Sequence, residues 1–492
     1  MIRKKIVFFA LLMCMVSSMK AQIKMMVLSD THVMSKQLIV NDGTAWQTAL
    51  SNDRKLLDYS QEIFDALIDT VLVHKPDLLL ITGDLTKDGE LLSHQYVVAG
   101  LDKLREEGIN TYVIPGNHDL GTSNALVFDG DNTSKAEVVS ATDFAKMYSN
   151  YGYGAYSTRE STTLTYACEP MKGVVLIGID SGTNGSLSET TLNWVCGQAE
   201  KAKEQGKQVV AMMHHALVPH FVGVNKVVSS AHVKNYENVR NRLANSGVRV
   251  VFTGHFHASD IAKDYNADFT EHIYDVSTGS AVSYPCDFRE LSLNMDRSQL
   301  AITSGHIKSL ENDANFSKTA KDRLHASLKK IANGKVNNDM LADFISISLA
   351  CHAEGNEDES KDARNVLIMY NFGKASMVSN ATVNSNITRM GLTWNDIDAT
   401  FNSMLKNISS YDDEERQSVT NDLTLTIDMP HLKIKGDIDQ NGEVDITDVV
   451  ALVNIILGKN SIENIKEADV DDNGVLNISD VSALVNMILK EQ

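Results

Sequence analysis

The chain has 492 residues, 43% hydrophobic and 22% charged, which is too long for one ordinary core and balanced as soluble globular domains are. With 64 acidic against 45 basic residues the formal charge is -19, and this excludes the basic surface that non-specific nucleic-acid binding needs, so no nucleic-acid polymer is expected as a partner. Only 6 prolines occur, which excludes a long Pro-rich linker.

Arg3, Lys4 and Lys5 precede an apolar run from Ile6 to Val16 that is too short to span a bilayer well, and Ser17, Ser18 and Ala21 supply small residues. Residues 1–21 therefore read as a signal peptide cleaved after Ala21, and the protein is expected to be exported. Met13 before Cys14, where a small residue belongs, weighs against lipid attachment. No later stretch is long and apolar enough for a transmembrane segment.

From about residue 23 to 300, short β-branched and apolar runs alternate with amphipathic stretches. Strands are expected at Ile23–Ser29, Asp77–Thr82, Thr111–Ile114, Val174–Ile179, Gln208–Met213 and Val248–Thr253. Helices are expected around Ile63–Val73, Leu91–Glu107 and Thr190–Gln205, so the region reads as an α/β domain. From Asn315 to Leu405 the strand runs stop. Ala320–Ile331 and Met340–Ala353 carry helical spacing, giving a mainly helical subdomain and linker over 306–430. Glu354–Asp362 reads as an exposed acidic loop, and a short apolar segment lies near Leu423–Ile427.

The chain then repeats itself. Asp437–Asp448 reads DIDQNGEVDITD and Asp469–Asp480 reads DVDDNGVLNISD, followed by VVALVNIIL and VSALVNMIL. Each loop puts oxygen donors at calcium-loop positions 1, 3, 5, 9 and 12, with glycine at 6 and a backbone carbonyl at 7. These are Asp437, Asp439, Asn441, Gly442, Glu443, Asp445 and Asp448 in the first loop. In the second they are Asp469, Asp471, Asn473, Gly474, Val475, Asn477 and Asp480.

In the α/β region, residues suited to metals follow nearly every strand run. Asp30 and His32 lie in LSDTH, Asp84 in ITGD, and Asn117, His118 and Asp119 in PGNHD. His214 and His215 lie in MMHHA, and His255 and His257 in TGHFH. Strand C-terminal ends are where α/β sheets present their sites, so the set can converge. Gly83, Gly116 and Gly254 are expected to ease tight turns there. Two divalent ions about 3.5–4 Å apart would lower the pKa of a shared water, and a bridging carboxylate would offset their repulsion. Nitrogen and oxygen donors without thiolate suit Mn, Fe or Zn. Cys168, Cys196, Cys286 and Cys351 are widely spaced, which fits neither a disulfide scaffold nor a zinc-thiolate site; one or two disulfides and simple buried thiols both stay open.

The five blocks, in this order, resemble the pattern of the calcineurin-like metallophosphoesterases. The resemblance covers about residues 23–300 and implies a four-layer α/β/β/α sandwich over 22–305 that hydrolyses a small phosphoester. By position it implies that Asp30, His32 and His257 hold one transition-metal ion, and Asn117, His214 and His255 the other. Asp84 would bridge both, His118 would be the non-ligand catalytic histidine, Asp119 would orient it, and His215 would lie just behind the ligands. The stretch LLLITGDLTKDGE…YVIPGNHD and the later YGYGAYS look most like class III cyclic-nucleotide phosphodiesterases, although Leu120 and Gly121 stand where many of those enzymes have Arg. A phosphodiesterase is therefore expected, with 3′,5′-cyclic nucleotides as one substrate class. A broad phosphomonoesterase, or a binding protein with an inactive phosphoesterase domain, is the alternative.

The two acidic loops, each followed by a helix, resemble a type I dockerin over residues 431–492. This implies a small all-α module, bound calcium and a cohesin-bearing scaffold as partner, with Thr447 and Ser479 at loop position 11, where dockerins often contact cohesin.

Overall fold

The computed structural model describes residues 22–228, 230–295, 297–355, 361–405, 421–430, 435–439, 444–459 and 465–490. The expected signal peptide, most of the expected acidic loop, and Asn441, Gly442 and Glu443 of the first repeat lie outside the described residues.

Two sheets form the frame. The first has the order Thr424–Asp428, Gln299–His306, Asp287–Asn294, Gln22–Leu28, Leu78–Ile81 and Asn110–Val113. Its last three strands run parallel, and the others are antiparallel to their neighbours. The second runs Asp260–Tyr265, His272–Ser277, Val250–Thr253, Gln208–Met213, Val174–Ile179, Tyr166–Met171 and Thr158–Arg159. All six expected strands are present, Val174–Ile179 and Gln208–Met213 with the expected ends and the other four with ends shifted by at most two residues, the usual uncertainty of an element boundary.

Side-chain alternation makes the layers. Along Gln208–Met213, Val210 and Met212 join the core shared with Ile23, Met25 and Leu291 of the first sheet. Val209, Ala211 and Met213 turn the other way, onto Leu192 and Val195 of the helix Glu189–Glu204 and Leu243 of Tyr236–Asn245. The first sheet is covered likewise by Ile63, Phe64 and Leu67 of Ser60–His74 and by Val97 and Leu101 of Leu91–Glu106. A strand apolar on both faces, such as Leu78–Ile81, must be buried on both. The result is the α/β/β/α order that the resemblance implied.

Two parts were not anticipated. Ile39–Asn41, Leu126–Asp129 and Asn132–Lys135 form a small third sheet, against which Trp46 of the helix Thr44–Asn52 packs, its ring 5.0 Å from that of Phe128. Thr424–Asp428, read from sequence only as a short apolar segment, hydrogen-bonds along Gln299–His306 and buries Ile427 in the α/β core.

Among the described residues, five helices fill the segment between: Phe316–Val336, Asp339–Glu354, Lys361–Val378, Ala381–Arg389 and Trp394–Met404. Asn338, Asn380 and the Thr393/Asp396 capping box accept the first free N–H groups of three of them. In the C-terminal repeat, the helices Ile446–Ile456 and Ile478–Lys490 pack through Leu452 and Leu484. All four cysteines expected in the mature chain are buried and outside any disulfide. No helix among the described residues is long and apolar enough to cross a membrane.

Candidate two-metal active site

The strand ends bring the predicted residues together as two groups sharing an edge. Ligand atoms of Asp30, His32 and His257 lie within 4.8 Å of one another, as do those of Asp84, His214 and His255. Asp84 Oδ2 is 3.2 Å from His214 Nε2 and 3.6 Å from His32 Nε2, so this carboxylate stands between the groups. Asn117 joins the second group, its Oδ1 3.1 Å from His214 Nε2.

The local backbone is unusual. Asp30, His32, Asp84, His255 and His257 all have positive φ, from 37° to 67°. Left-handed backbone strains a non-glycine residue by about 1 kcal/mol, and such strain persists only where surrounding bonds impose it. Here the loops lock one another: Asp30 N–H donates to Gly83 O at 3.0 Å, His32 N–H to Asp84 O at 2.9 Å, and Gly254 N–H to His214 O at 3.0 Å. Turn geometry explains Gly83, with φ +96°, but Gly116 and Gly254 are required by proximity. A Cβ on Gly116 would stand 2.2 Å from Asp84 Oδ1, and one on Gly254 would stand 1.8 Å from Ser29 Oγ and 2.4 Å from Asp30 Oδ2.

The donors fit divalent metals. His32 Nε2 and His257 Nε2 face each other at 3.3 Å, and the buried Asp30 Oδ1 beside them has no hydrogen-bond partner. Its other oxygen, Oδ2, accepts from Ser29 Oγ at 2.5 Å and from His255 N–H at 2.9 Å. His214 Nδ1 donates to Thr82 O at 2.8 Å and His255 Nε2 to Ser230 O at 2.9 Å, which leaves one lone pair on each ring for the centre. Burial pushes His255 and His257 down to about 4 and His32 well below its usual range, so these rings are neutral, as ligands must be. His214 is also buried, yet Asp84 and Asp30 lift it to about 9. Two buried carboxylates thus demand positive charge at the point the rings share.

His118 stands apart from the ligand groups. Its Nδ1 is 2.9 Å from Asp88 Oδ1, and the imidazole is 28% exposed, enough to meet a substrate. Burial opposes the imidazolium, but the Asp88 hydrogen bond and the charge of Asp84 outweigh it and raise His118 above the ordinary histidine value. The expectation that Asp119 orients His118 is overturned. Asp119 is fully buried and accepts from the N–H groups of Leu85, Thr86 and Gly116 and from Thr86 Oγ1, tying the GD loop to the GNHD loop. Burial and the Asp84 carboxylate push it up to about 7, against donors that favour its anion. Sequence reasoning missed Asp88, whose one signal was its place just beyond Asp84 in GDLTKD. His215 packs behind the ligands, its ring 4.3 Å from that of His255 and its Nδ1 2.8 Å from Ser181 Oγ.

In the C-terminal repeat, ligand oxygens of Asp437, Asp439 and Asp448 lie within 4.8 Å of one another, as do those of Asp469, Asp471 and Asp480. Asp445 caps the helix Ile446–Ile456 in a capping box with Asp448. Asn473 and Asn477 turn back on the second loop, accepting from Val475 N–H and Ser479 N–H at 2.8 Å each, while Val475 O accepts from Asn477 Nδ2 at 2.9 Å. Thr447 and Ser479 donate their hydroxyls to Asp439 Oδ2 and Asp471 Oδ2 at 2.8 and 2.5 Å, holding the position-3 carboxylates.

Residues 23–259 match the family model described as calcineurin-like phosphoesterase, and residues 435–489 that of the dockerin type I domain. A probable glycerophosphodiester phosphodiesterase from Arcobacter nitrofigilis is 25% identical over 244 residues, covering 46% of this chain and 70% of that protein. A dimetal phosphatase from Danio rerio superposes with a TM-score of 0.41 at 12% identity, covering 57% of this chain and 95% of that one.

Proposed function

We propose that this chain, whose residues 23–259 match the calcineurin-like phosphoesterase model and 435–489 the dockerin type I model, is a metal-dependent phosphoester hydrolase that cleaves small phosphodiesters. The observation that carries the reading is the Asp84 carboxylate standing between two buried ligand groups, with a non-ligand histidine at the edge. The similarity to a probable glycerophosphodiester phosphodiesterase supports a diester over a monoester, with glycerophosphodiesters as the first class to try and 3′,5′-cyclic nucleotides as the second.

Two ions bound at the centre, Mn, Fe or Zn by the N/O donor set, would supply Lewis acidity toward the phosphoryl group and acidify a water. Asp30, His32 and His257 would hold one, Asn117, His214 and His255 the other, and Asp84 would serve both. Asp84 and Asp30 keep the centre electrically balanced, and the Thr82 and Ser230 carbonyls fix the ring tautomers. As the oxygen of a water that has given one proton to solvent bonds to phosphorus, the opposite P–O bond breaks. His118 then delivers its proton to the departing oxygen, held in line by Asp88. The dockerin binds calcium and docks the enzyme on a cohesin-bearing scaffold, and residues 1–21 export it.

Turnover of an aryl phosphodiester with added Mn²⁺, compared with the aryl monoester, glycerophosphocholine and cyclic AMP, tests the substrate class. Diesters should exceed the monoester in kcat/KM; a monoester preference would overturn the assignment.

A further inference from the structure

Arg54 and Lys55 are adjacent basic residues in an acidic chain, on the loop between the helix Thr44–Asn52 and the turn Leu57–Tyr59. That loop is pinned from two directions. On one side Leu56 N–H donates to Val282 O at 2.7 Å. The turn carrying Val282 is itself bonded to the first metal-ligand loop, Ala281 N–H to Ser29 O at 3.1 Å and Ser280 Oγ to Asp30 O at 2.9 Å. On the other side the helix Phe316–Val336 grips both flanks. Arg323 forms a two-pronged ion pair with Asp58 at 2.6 and 2.8 Å and lies over the Tyr59 ring at 5.1 Å. Lys330 Nζ reaches Ser51 O at 2.9 Å and Asn52 Oδ1 at 3.0 Å.

So held, the two cations are largely withdrawn from solvent. The Lys55 side chain is only 11% exposed, and its nearest carboxylate, Asp53 Oδ2, is 3.7 Å away, beyond hydrogen-bond reach. Arg54 is partly buried, and its guanidinium has no hydrogen-bond partner among the described residues. Arg54 lies close enough to Asp30 and His257, and Lys55 to His32 and His118, for their charges to bear on those groups. Drawing a cation out of water is costly unless an anion meets it, and guanidinium matches phosphoryl oxygens in two-pronged geometry.

Building on the hydrolase reading, we infer that Arg54 and Lys55 bind the anionic oxygens of the phosphoester on the Asp30–His257 side of the centre, and that Arg323 and Lys330 are positioning residues for that loop. The five-helix segment thereby gains a role in substrate affinity although its Arg323 and Lys330 meet the loop's flanks rather than the metal ligands.

The full chain loaded with Mn²⁺ tests this through metal content, equilibrium binding of inorganic phosphate by calorimetry, and kcat with KM on an aryl phosphodiester. Arg54→Gln and Lys55→Gln should each keep the wild-type Mn content while raising the phosphate Kd and the KM about tenfold. Arg54→Lys, which keeps the charge without the fork, should fall between. Arg323→Gln/Lys330→Gln should raise both constants less, and add nothing in the Arg54→Gln/Lys55→Gln background. Unchanged phosphate affinity in Arg54→Gln/Lys55→Gln with Mn retained overturns the inference. Tighter Mn binding in Arg54→Gln also overturns it, by making Arg54 a competitor of the metal. If the wild type turns over no ester but these variants still lose phosphate affinity, the hydrolase reading fails and the anion site stands.

Discussion

Asp88 Oδ1 lies 2.9 Å from His118 Nδ1, so the imidazole is held by a residue thirty positions upstream, while its neighbour Asp119 binds backbone N–H groups of the two loops that present Asp84 and Asn117. A histidine held at Nδ1 by a carboxylate points its other nitrogen outward and stabilises its own charged form, which suits a proton donor.

His118→Ala should therefore keep both metals and lose about 10²–10⁴-fold in kcat on a diester with a poor leaving group, and less on an activated aryl ester that needs little protonation. Asp88→Asn should lose about 10–10²-fold and cost nothing further in the His118→Ala background, because the two act as a unit. Metal analysis beside kinetics decides it; loss of metal in His118→Ala would make His118 a ligand.

The metal groups can be separated genetically. Asp84→Ala should empty both positions, since this carboxylate touches both groups. In Gly254→Ala the new Cβ collides with Ser29 and Asp30, so the Asp30–His32–His257 position should empty first and Mn content should fall from about two toward about one per chain. Gly116→Ala strikes Asp84 instead and should resemble Asp84→Ala.

Much of this centre was legible because a metal ligand must be one of few residue types and an α/β sheet presents it at a strand end. Asp30, Asp84, Asn117, His214 and His257 each satisfy both conditions. Asp88 is of the right type but lies away from a strand end, and Arg54 satisfies neither condition. They sit in loops, and their meaning comes from partners brought near by long-range folding, Val282 and Asp58–Arg323 among them. Thr424–Asp428 was readable as apolar but not as a strand of the first sheet, because its pairing partner lies more than a hundred residues upstream. The left-handed backbone at five ligands was also hidden, since aspartate and histidine give no local sign of positive φ.

A second buried polar cluster predicts a pH-dependent stability. His220 Nε2 is 3.0 Å from Asp275 Oδ2 and its Nδ1 3.4 Å from Asp260 Oδ1, while His352 of the helix Asp339–Glu354 lies 3.5 Å from Asp260 Oδ2. Burial would lower His220, but Asp275 and Asp260 outweigh it and hold the ring protonated well above its usual range. A histidine raised on folding stabilises fully below its unfolded pKa of about 6.5 and loses that contribution as pH climbs through the folded value. Asp260 is held below its usual value by His220 despite burial, so its own contribution fades toward acid. His220→Gln should accordingly be less stable by about 3–5 kcal/mol near pH 6, the scale of breaking a buried pair. Urea melts across pH should show the gap narrowing toward alkaline pH; a constant gap would mean the ring is neutral.

Calcium should act on the C-terminal module alone. Asp448 and Asp480 are fully buried, and their carboxylates accept backbone N–H groups at the loop starts: Asp448 from Ile438 and Asp439, Asp480 from Asp471. Each is thus built into the turn that its own cluster closes, and without a cation three carboxylates within 4.8 Å repel one another. An ion that binds only the folded loops stabilises them by about 2.7 kcal/mol at one hundred times its Kd. In the full chain, added Ca²⁺ should slow amide exchange in Ile446–Ile456 and Ile478–Lys490 roughly a hundredfold, and leave Leu91–Glu106 unchanged. Asp469→Ala should remove the protection from Ile478–Lys490 before Ile446–Ile456, because Asp469 opens the loop that leads into Ile478–Lys490 and reaches the other helix only through the Leu452–Leu484 packing. Protection that does not respond to Ca²⁺ or to chelator would mean that these acidic loops fold without an ion.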